Sequence, residues 1–275
     1  MKFIYNVVCI GAGGTGTFFL KEFARFMASY KVRDFDKIIY LSIIDGDYIE
    51  TKNLERQAFI KSDINSNKAV TMASAIKENF DLDNVYAYPL YIDTECQLEQ
   101  VYNRLYGENN KLIKRTYDCK VIDILIGCCD NHRARQVMHG FFYNHKRTIF
   151  YYDAANEYSN GEVVFAGRHQ KKLLGRPRAD YFKDVLTDMS PRASELSCGT
   201  VNISSPQHIA TNMMAGNLLL SKLTLLIAED KMQFGIAFFD SMQLYVNFYP
   251  DEETKKDWEN EDDDGENKGN NRENE

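Results

Sequence analysis

The chain has 275 residues, of which 44% are hydrophobic and 27% charged, and its formal net charge is −7. This length and composition predict one large globular domain with a full hydrophobic core. The charge is uneven, because residues 251–275 carry 12 acidic and 4 basic side chains, which leaves the rest of the chain at about +1. A nearly neutral body argues against nucleic-acid binding, which needs a basic surface.

Several sequence features that would indicate a membrane or secreted protein are missing. No apolar run reaches the roughly 18 residues of a membrane-spanning helix, and the first residues lead into a strand pattern rather than a signal peptide. The six cysteines include no Cys-x-x-Cys pair, so no structural zinc is expected. We therefore expect a cytoplasmic protein with free thiols and no membrane segment.

Apolar strand patterns alternate with helical patterns through the first 166 residues. The predicted strands are 5–10, 38–44, 85–92, 121–126, 149–153 and 162–166. The predicted helices are 15–30, 67–80, 95–105 and 132–144. This alternation predicts an α/β fold with a doubly wound, mostly parallel, Rossmann-like sheet.

The C-terminal part of the sequence has a different character. Residues 168–205 are charged and form a predicted excursion, or crossing loop, and residues 207–228 follow as a long apolar helix. Residues 235–239 and 244–249 are predicted to form a closing antiparallel hairpin. The acidic tail, residues 251–275, has too few apolar residues to order itself. One domain is therefore expected over residues 1–250.

A glycine-rich segment, Gly11-Ala12-Gly13-Gly14-Thr15-Gly16, connects the first predicted strand to the first predicted helix. Glycines there permit a tight turn and let backbone N–H groups approach a phosphate, and the helix start adds partial positive charge. We call residues 11–16 the glycine turn. Its position between a strand and a helix indicates a nucleotide-binding site.

Two carboxylates, Asp45 and Asp47, follow the second predicted strand. A carboxylate at this position can accept hydrogen bonds from ribose hydroxyls, which is equally consistent with NAD and with ATP. A capping or solvated carboxylate is the alternative interpretation, above all for Asp47.

Asn53, Arg56, Gln57 and Lys68 narrow the interpretation to ATP. If residues 53–57 form one helical turn, Asn53 and Arg56 share a face that can hold a triphosphate near the glycine turn. Lys68 begins the next predicted helix and can reach the same phosphates. A single basic residue is usually a surface charge, but these four polar and basic residues in this order favour a phosphate-binding site.

Asp130 and Asn131 follow the fourth main predicted strand. A carboxylate at the carboxyl end of a strand, beside a phosphate-binding crevice, can bind Mg²⁺. Asp130 is the predicted metal ligand, and Asn131 is the predicted cap of the helix that begins near His132.

These motifs together resemble those of the ThiF/MoeB family of ubiquitin-activating-type adenylating enzymes, over roughly residues 4–140. The resemblance implies use of ATP and Mg²⁺ to adenylate the C-terminal carboxylate of a small ubiquitin-like, β-grasp or sulfur-carrier protein, and a homodimer. It implies phosphate contacts by the glycine turn, Arg56 and Lys68, a ribose contact by Asp45, a nucleotide contact by Asn53 and a metal contact by Asp130.

Cys198 lies in the predicted crossing loop, where family members often carry a cysteine that accepts the activated acyl group or sulfur. A small buried thiol is the alternative interpretation. This loop and the long helix after it resemble the PRTRC-system ThiF branch. The zinc-binding Cys-x-x-Cys pairs of many relatives are absent, and the N-terminal arginine that relatives lend to a neighbouring subunit has no counterpart before the first strand.

Two alternatives to the adenylating enzyme remain from the sequence. A catalytically weak scaffold would keep the fold and bind a ubiquitin-like partner, and the missing arginine favours it. An NAD-dependent oxidoreductase would use the glycine turn and Asp45 but would leave Asn53, Arg56, Lys68 and Asp130 unexplained.

Overall fold

The computed structural model describes residues 2–31, 36–106, 119–169, 172–190 and 207–251. The strands in these parts of the chain are Lys2–Ile10 (β1), Lys37–Ile44 (β2), Val85–Tyr88 (β3), Cys119–Gly127 (β4), Ile149–Asn156 (β5), Asn160–His169 (β6), Lys172–Leu174 (β7), Gly235–Asp240 (β8) and Tyr245–Pro250 (β9). They form one sheet in the order β3-β2-β1-β4-β5-β6-β8-β9, and β7 pairs with β6.

The helices of the same residues are Gly14–Lys31 (α1), Lys68–Phe80 (α2), Glu95–Asn103 (α3), His132–Asn144 (α4), Arg178–Tyr181 (α5) and Ile209–Glu229 (α6). Helix α1 packs against α2 and α6 on one face of the sheet, and α3 and α4 cover the other face. Short 3-10 turns occupy Thr51–Glu55, Lys61–Asp63, Arg104–Tyr106 and Lys183–Leu186. Among the described residues, no helix is long and apolar enough to cross a membrane.

Strand β1 shows why the central strands are apolar on both faces. Tyr5, Val7 and Cys9 join the core beneath α1 and α6, whereas Val8 and Ile10 join the core beneath α3 and α4. The strand is parallel to β2 on one side and to β4 on the other. A strand without a solvent-facing side has a continuous apolar sequence, which is the pattern that predicted it.

The predicted α/β fold, with its long C-terminal helix and antiparallel hairpin, is confirmed. Strand β3 is shorter than predicted and ends before Pro89, because proline has no N–H for the ladder. Strand β6 is antiparallel to β5, because only residues 157–159 join them and a parallel pair needs a long crossover. Residues 191–206 of the predicted crossing loop and 252–275 of the predicted acidic tail lie outside the described residues.

A buried carboxylate in β4, Asp123, links the middle of the sheet to the loop before β5. Its side chain is 0% exposed and accepts hydrogen bonds from Asn6 Nδ2 at 2.9 Å and Arg147 Nε at 2.7 Å. His145 Nε2 lies 2.8 Å from the same carboxylate. A charge buried at this depth is stable only because its partners are in place.

We expect Asp123→Ala to be strongly destabilising, because it removes the buried carboxylate that Arg147, His145 and Asn6 contact together. The free energy of unfolding should fall by about 3–5 kcal/mol, measured by urea denaturation. Asp83→Ala removes an exposed carboxylate before β3 and should change the same quantity by less than about 0.5 kcal/mol. Equal effects of the two substitutions would contradict the importance of the Asp123 cluster.

Candidate nucleotide-binding site

The carboxyl ends of the parallel strands β1, β2 and β4 meet at one edge of the sheet. Ile10, the last residue of β1, lies beside Ile44 of β2 and Gly127 of β4. The residues that follow these strands, namely the glycine turn, Asp45 and the loop to Asp130, are therefore brought together. Open α/β sheets bind their ligands at this edge.

Two glycines keep the glycine turn tight against the sheet. Gly11 has a φ of +99°, and a Cβ there would lie 2.5 Å from the carbonyl oxygen of Cys128. A Cβ at Gly16 would lie 2.9 Å from the carbonyl carbon of Gly11. Larger residues at either position would push the turn away from the end of β4, so these glycines are required by packing.

The other two glycines differ in what surrounds them. A Cβ at Gly14 would lie 2.7 Å from Cγ of Asn212 in α6, so Gly14 allows α6 to approach the turn. A Cβ at Gly13 would meet only Gln57 Nε2, at 4.0 Å. Among the four glycines predicted to bind phosphate, Gly13 is therefore the one that faces open space, where a ligand can approach the backbone.

The carboxylate of Asp45 holds the glycine turn against the end of β2. Its two oxygens accept hydrogen bonds from the amide of Ala12 at 2.7 Å and from the amide of Asp47 at 2.8 Å. Burial raises the pKa of Asp45 to about 6, although the Lys68 ammonium and the Ala12 amide act in the opposite direction. Each oxygen keeps a lone pair for a further donor such as a ribose hydroxyl.

Lys68 forms an ion pair with Asp47 beside Asp45. The distance from Lys68 Nζ to Asp47 Oδ2 is 2.9 Å, and the Lys68 side chain is only 8% exposed. The Tyr91 hydroxyl donates to the other oxygen of Asp47. Burial alone would raise the pKa of Asp47, but Lys68 and Tyr91 outweigh it and lower the pKa. Lys68 and Asp47, which were both predicted to contact the nucleotide, therefore lie beside Asp45 and form an ion pair with each other.

The side chain of Asn53 stabilises the local backbone of the segment that follows β2. It is buried, and its Oδ1 accepts a hydrogen bond from the Glu50 amide at 2.8 Å. This bond stabilises the 3-10 turn Thr51–Glu55, which ends before Arg56. The expected single turn over residues 53–57 is therefore shifted toward the N-terminus, and the side-chain oxygen of Asn53 is occupied within its own turn.

Arg56 and Gln57 follow this turn, and Gln57 lies beside Gly13 of the glycine turn. Arg56 Nη1 donates to Gln207 Oε1 at 3.2 Å, and Gln207 Nε2 donates to the carbonyl of Asn156 at 3.2 Å. Gln57 is buried, and its Oε1 has no hydrogen-bond partner among the described residues. The guanidinium of Arg56 thus has a neutral partner and keeps its charge for an anion.

The loop after β4 carries Asp130, which is exposed. The adjacent Cys129 is buried and Cys128 is half-buried. A hydrogen bond with Cys9 and burial raise the pKa of Cys128, and burial raises that of Cys129 to about 12. Asn131 accepts a hydrogen bond from the Ala134 amide at 2.9 Å, which confirms it as the cap of α4. Asp130 is therefore available to a ligand, whereas the raised pKa values favour the protonated form of both thiols.

Three further polar residues at the site were not identified from the sequence: Asn156, Gln207 and Asn212. Thr15 Oγ1 lies 3.0 Å from Asn156 Oδ1, and Asn156 Nδ2 donates to Asn212 Oδ1 at 2.9 Å. The available signal was the polar residue Asn212 near the start of a mostly apolar helix. Cys198, the predicted acceptor, lies outside the described residues.

No group of three or more His, Cys, Asp or Glu side chains within the described ranges could hold a metal ion by itself. A single exposed carboxylate such as Asp130 still fits Mg²⁺, because this ion is usually bound by one or two carboxylates, water and the phosphates of the substrate.

The chain belongs to the ThiF family, whose family model matches residues 4–258. A search of curated proteins found no significant match. Similar solved structures confirm the fold at low sequence identity. PaaA is 14% identical, with a TM-score of 0.59, and the match covers 90% of this chain and 72% of PaaA.

Two structures of E. coli MccB are similar to the same extent. MccB with ATP is 16% identical, with a TM-score of 0.57, and the match covers 89% of this chain and 62% of MccB. MccB with AMPCPP and the selenomethionine form of MccA is 15% identical, with a TM-score of 0.59, and the match covers 89% and 63%. The chain thus spans less than two thirds of the length of MccB.

The raised pKa of Asp45 gives a testable pH dependence. An ionised carboxylate accepts from ribose hydroxyls better than a protonated one, so adenosine affinity should be constant above pH 7 and fall as the pH drops through about 6. The fall between pH 7 and pH 5 should be about 10-fold, measured by calorimetry. Adenosine is used because it has no phosphate that titrates in this range.

Asp45→Asn is the matched control for this titration, because it keeps the shape and has no proton to gain. Its adenosine affinity should be weaker and independent of pH between 5 and 7. If the wild-type protein and the Asn variant had the same pH dependence, Asp45 would not be the group that titrates.

Proposed function

We propose that the protein uses MgATP to adenylate the C-terminal carboxylate of a small ubiquitin-like or sulfur-carrier protein. The observation that supports this most directly is the assembly of the glycine turn, Asp45, Arg56 and Lys68 at one edge of the sheet in a chain of the ThiF family. This set provides groups for a ribose and for several phosphates, and an NAD-dependent reaction gives no role to Arg56 and Lys68.

The arrangement suggests how the nucleotide binds. The ribose lies on Asp45, and the phosphates cross Gly13 at the start of α1, where the amide groups and the helix dipole favour negative charge. Arg56 and Lys68 approach the phosphates from the chain that follows β2. Lys68 carries three N–H donors, so it can bind a phosphate oxygen while keeping its contact with Asp47.

Asp130 would hold Mg²⁺ at the opposite flank of the glycine turn. Magnesium held there would supply positive charge that offsets the negative charge of the phosphates. The loop that carries Asp130 lies directly against the turn, since the Cys128 amide donates to the carbonyl of Ile10 at 2.8 Å. This contact keeps the carboxylate beside the phosphates.

In the reaction, an oxygen of the partner's C-terminal carboxylate forms a bond to the α-phosphorus, and the bond from that phosphorus to the pyrophosphate oxygen breaks. The products are an acyl-adenylate and pyrophosphate. No general base is needed, because the attacking carboxylate is already ionised. The main barrier is repulsion between two anions, and one cation at roughly 4 Å contributes about 4 kcal/mol at an effective dielectric of about 20.

The partner is inferred from the chemistry and from similar proteins. The MccB structures include one with ATP and others with MccA, and the ThiF family model covers most of this chain. A small protein with an extended C-terminal end fits a site at an open sheet edge. We further propose a homodimer and a second step in which the Cys198 thiolate attacks the acyl-adenylate, so that a thioester forms and AMP leaves.

Arg56→Ala should lower the rate of partner-dependent ATP–pyrophosphate exchange by roughly 10²- to 10³-fold, by analogy with removal of one transition-state donor. Lys21→Ala removes a positive charge from the exposed surface of α1 and should leave the rate unchanged. If Arg56→Ala retained the wild-type rate, the guanidinium would have no part in stabilising the phosphates.

Asp130→Ala should abolish exchange at ordinary Mg²⁺ concentrations and raise the Mg²⁺ concentration needed for half-maximal rate. Asp83→Ala serves as the matched control.

The exchange should require a small β-grasp protein with a free Gly-Gly carboxylate and should stop when that carboxylate is amidated. Exchange that is indifferent to the amidation would contradict the proposed substrate.

A further inference from the structure

Helix α6 reaches the glycine turn with a buried amide, Asn212, whose donor group is unused. The side chain is 0% exposed, and its Oδ1 accepts from Asn156 Nδ2 at 2.9 Å and from Thr15 Oγ1 at 3.4 Å. Its Nδ2 has no hydrogen-bond partner among the described residues. A buried donor left unpaired is unfavourable, so its retention requires an explanation.

The packing of α6 directs this amide to the turn. Gly216 brings the two helices close, since a Cβ there would lie 3.1 Å from the amide nitrogen of Phe19 in α1. One turn earlier in α6, Asn212 occupies the space that a Cβ at Gly14 would need. The donor therefore lies against the glycine turn at Gly14.

An amide that served only to join α6 to β5 would need only its oxygen. Here Asn156 fixes the orientation of the Asn212 side chain by donating to that oxygen, which turns the NH₂ group away from β5. The neighbouring Gln207 also binds Arg56. The start of α6 is thus connected to the proposed phosphate-binding groups twice, because Asn212 lies against the glycine turn and Gln207 binds Arg56.

We propose that Asn212 Nδ2 donates a hydrogen bond to a phosphate oxygen of the nucleotide bound at the glycine turn. This inference rests on the proposed nucleotide site and adds a ligand from α6, which none of the sequence motifs includes. It also explains why Gly14 must be glycine, since any side chain there would separate the donor from the turn. Asn156 is then a positioning residue for Asn212.

The test compares the affinities for ATP and for adenosine, which carries no phosphate, by calorimetry. Asn212→Ser removes the amide donor and leaves only a shorter hydroxyl, without adding charge, and should weaken ATP binding roughly 10-fold or more, because hydrogen bonds to charged groups are strong. Asn212→Asp places a carboxylate beside the phosphates and should weaken it further. Adenosine affinity should stay within about 2-fold in both variants.

Asn217→Asp is the matched control, because it introduces the same charge at an exposed position of the same helix. It should bind both ligands like the wild-type protein. Thermal denaturation establishes that each variant is folded, and Asn212→Ser, the smaller change, decides the question if Asn212→Asp does not fold.

Wild-type ATP affinity in Asn212→Ser would overturn the inference, and so would an equal loss of ATP and adenosine affinity, which would indicate a purely structural role. A wild-type protein that binds ATP but shows no partner-dependent exchange would contradict the proposed function alone. In that case the comparison of ATP with adenosine still decides whether Asn212 binds phosphate.

Discussion

The hydrogen bond from the Ala12 amide to the Asp45 carboxylate fixes the geometry of the whole site. Asp45 directly follows β2, and the Gly11 amide donates to the carbonyl of Ile44, so the glycine turn is attached to the neighbouring strand at two points. The turn is equally constrained toward β4, where Gly11 contacts Cys128. Because the backbone amides are held before a ligand arrives, little reorganisation is needed when phosphate binds, which is the condition for effective electrostatic stabilisation.

The two cations of the site are arranged differently. Lys68 is paired with Asp47, so much of its charge is already balanced, whereas Arg56 is bound by the neutral amide of Gln207. An incoming triphosphate therefore gains more net attraction from Arg56 than from Lys68. In the proposed site, Lys68 would bind phosphate and would also balance the two carboxylates, Asp45 and Asp47, which would otherwise repel the same phosphates. This difference between the partners of Lys68 and Arg56 explains why the site contains both a lysine and an arginine.

The parts of the site that follow a strand directly could be predicted from the sequence. The glycine turn, Asp45 and Asp130 each come at the end of an apolar segment, and parallel pairing brings such ends to one edge. Asn156, Gln207 and Asn212 could not be predicted, because their proximity to Thr15 depends on how α6 packs on α1. The capping role of Asn53 was missed for another reason, since a local backbone contact competes with a ligand for the same oxygen. The antiparallel pairing of β6 was not predicted, because both strands extend beyond the predicted bounds of 149–153 and 162–166 and so leave only residues 157–159 between them.

A buried ionic network beneath the site explains how two loops keep their positions. Arg135 Nη2 donates to the carbonyls of Cys129 at 2.7 Å and Ala154 at 3.2 Å, so one guanidinium joins the loop after β4 to the end of β5. Arg178 Nε donates to Asp153 Oδ2 at 2.6 Å, which attaches α5 to the same strand. An apolar cluster could fill this volume, but it could not bind two backbone carbonyls in fixed directions, as the planar guanidinium does. Since Asp130 follows Cys129 and Asn156 follows Ala154 by two residues, the carboxylate on one flank of the turn and the amide that orients Asn212 depend on the same buried side chain.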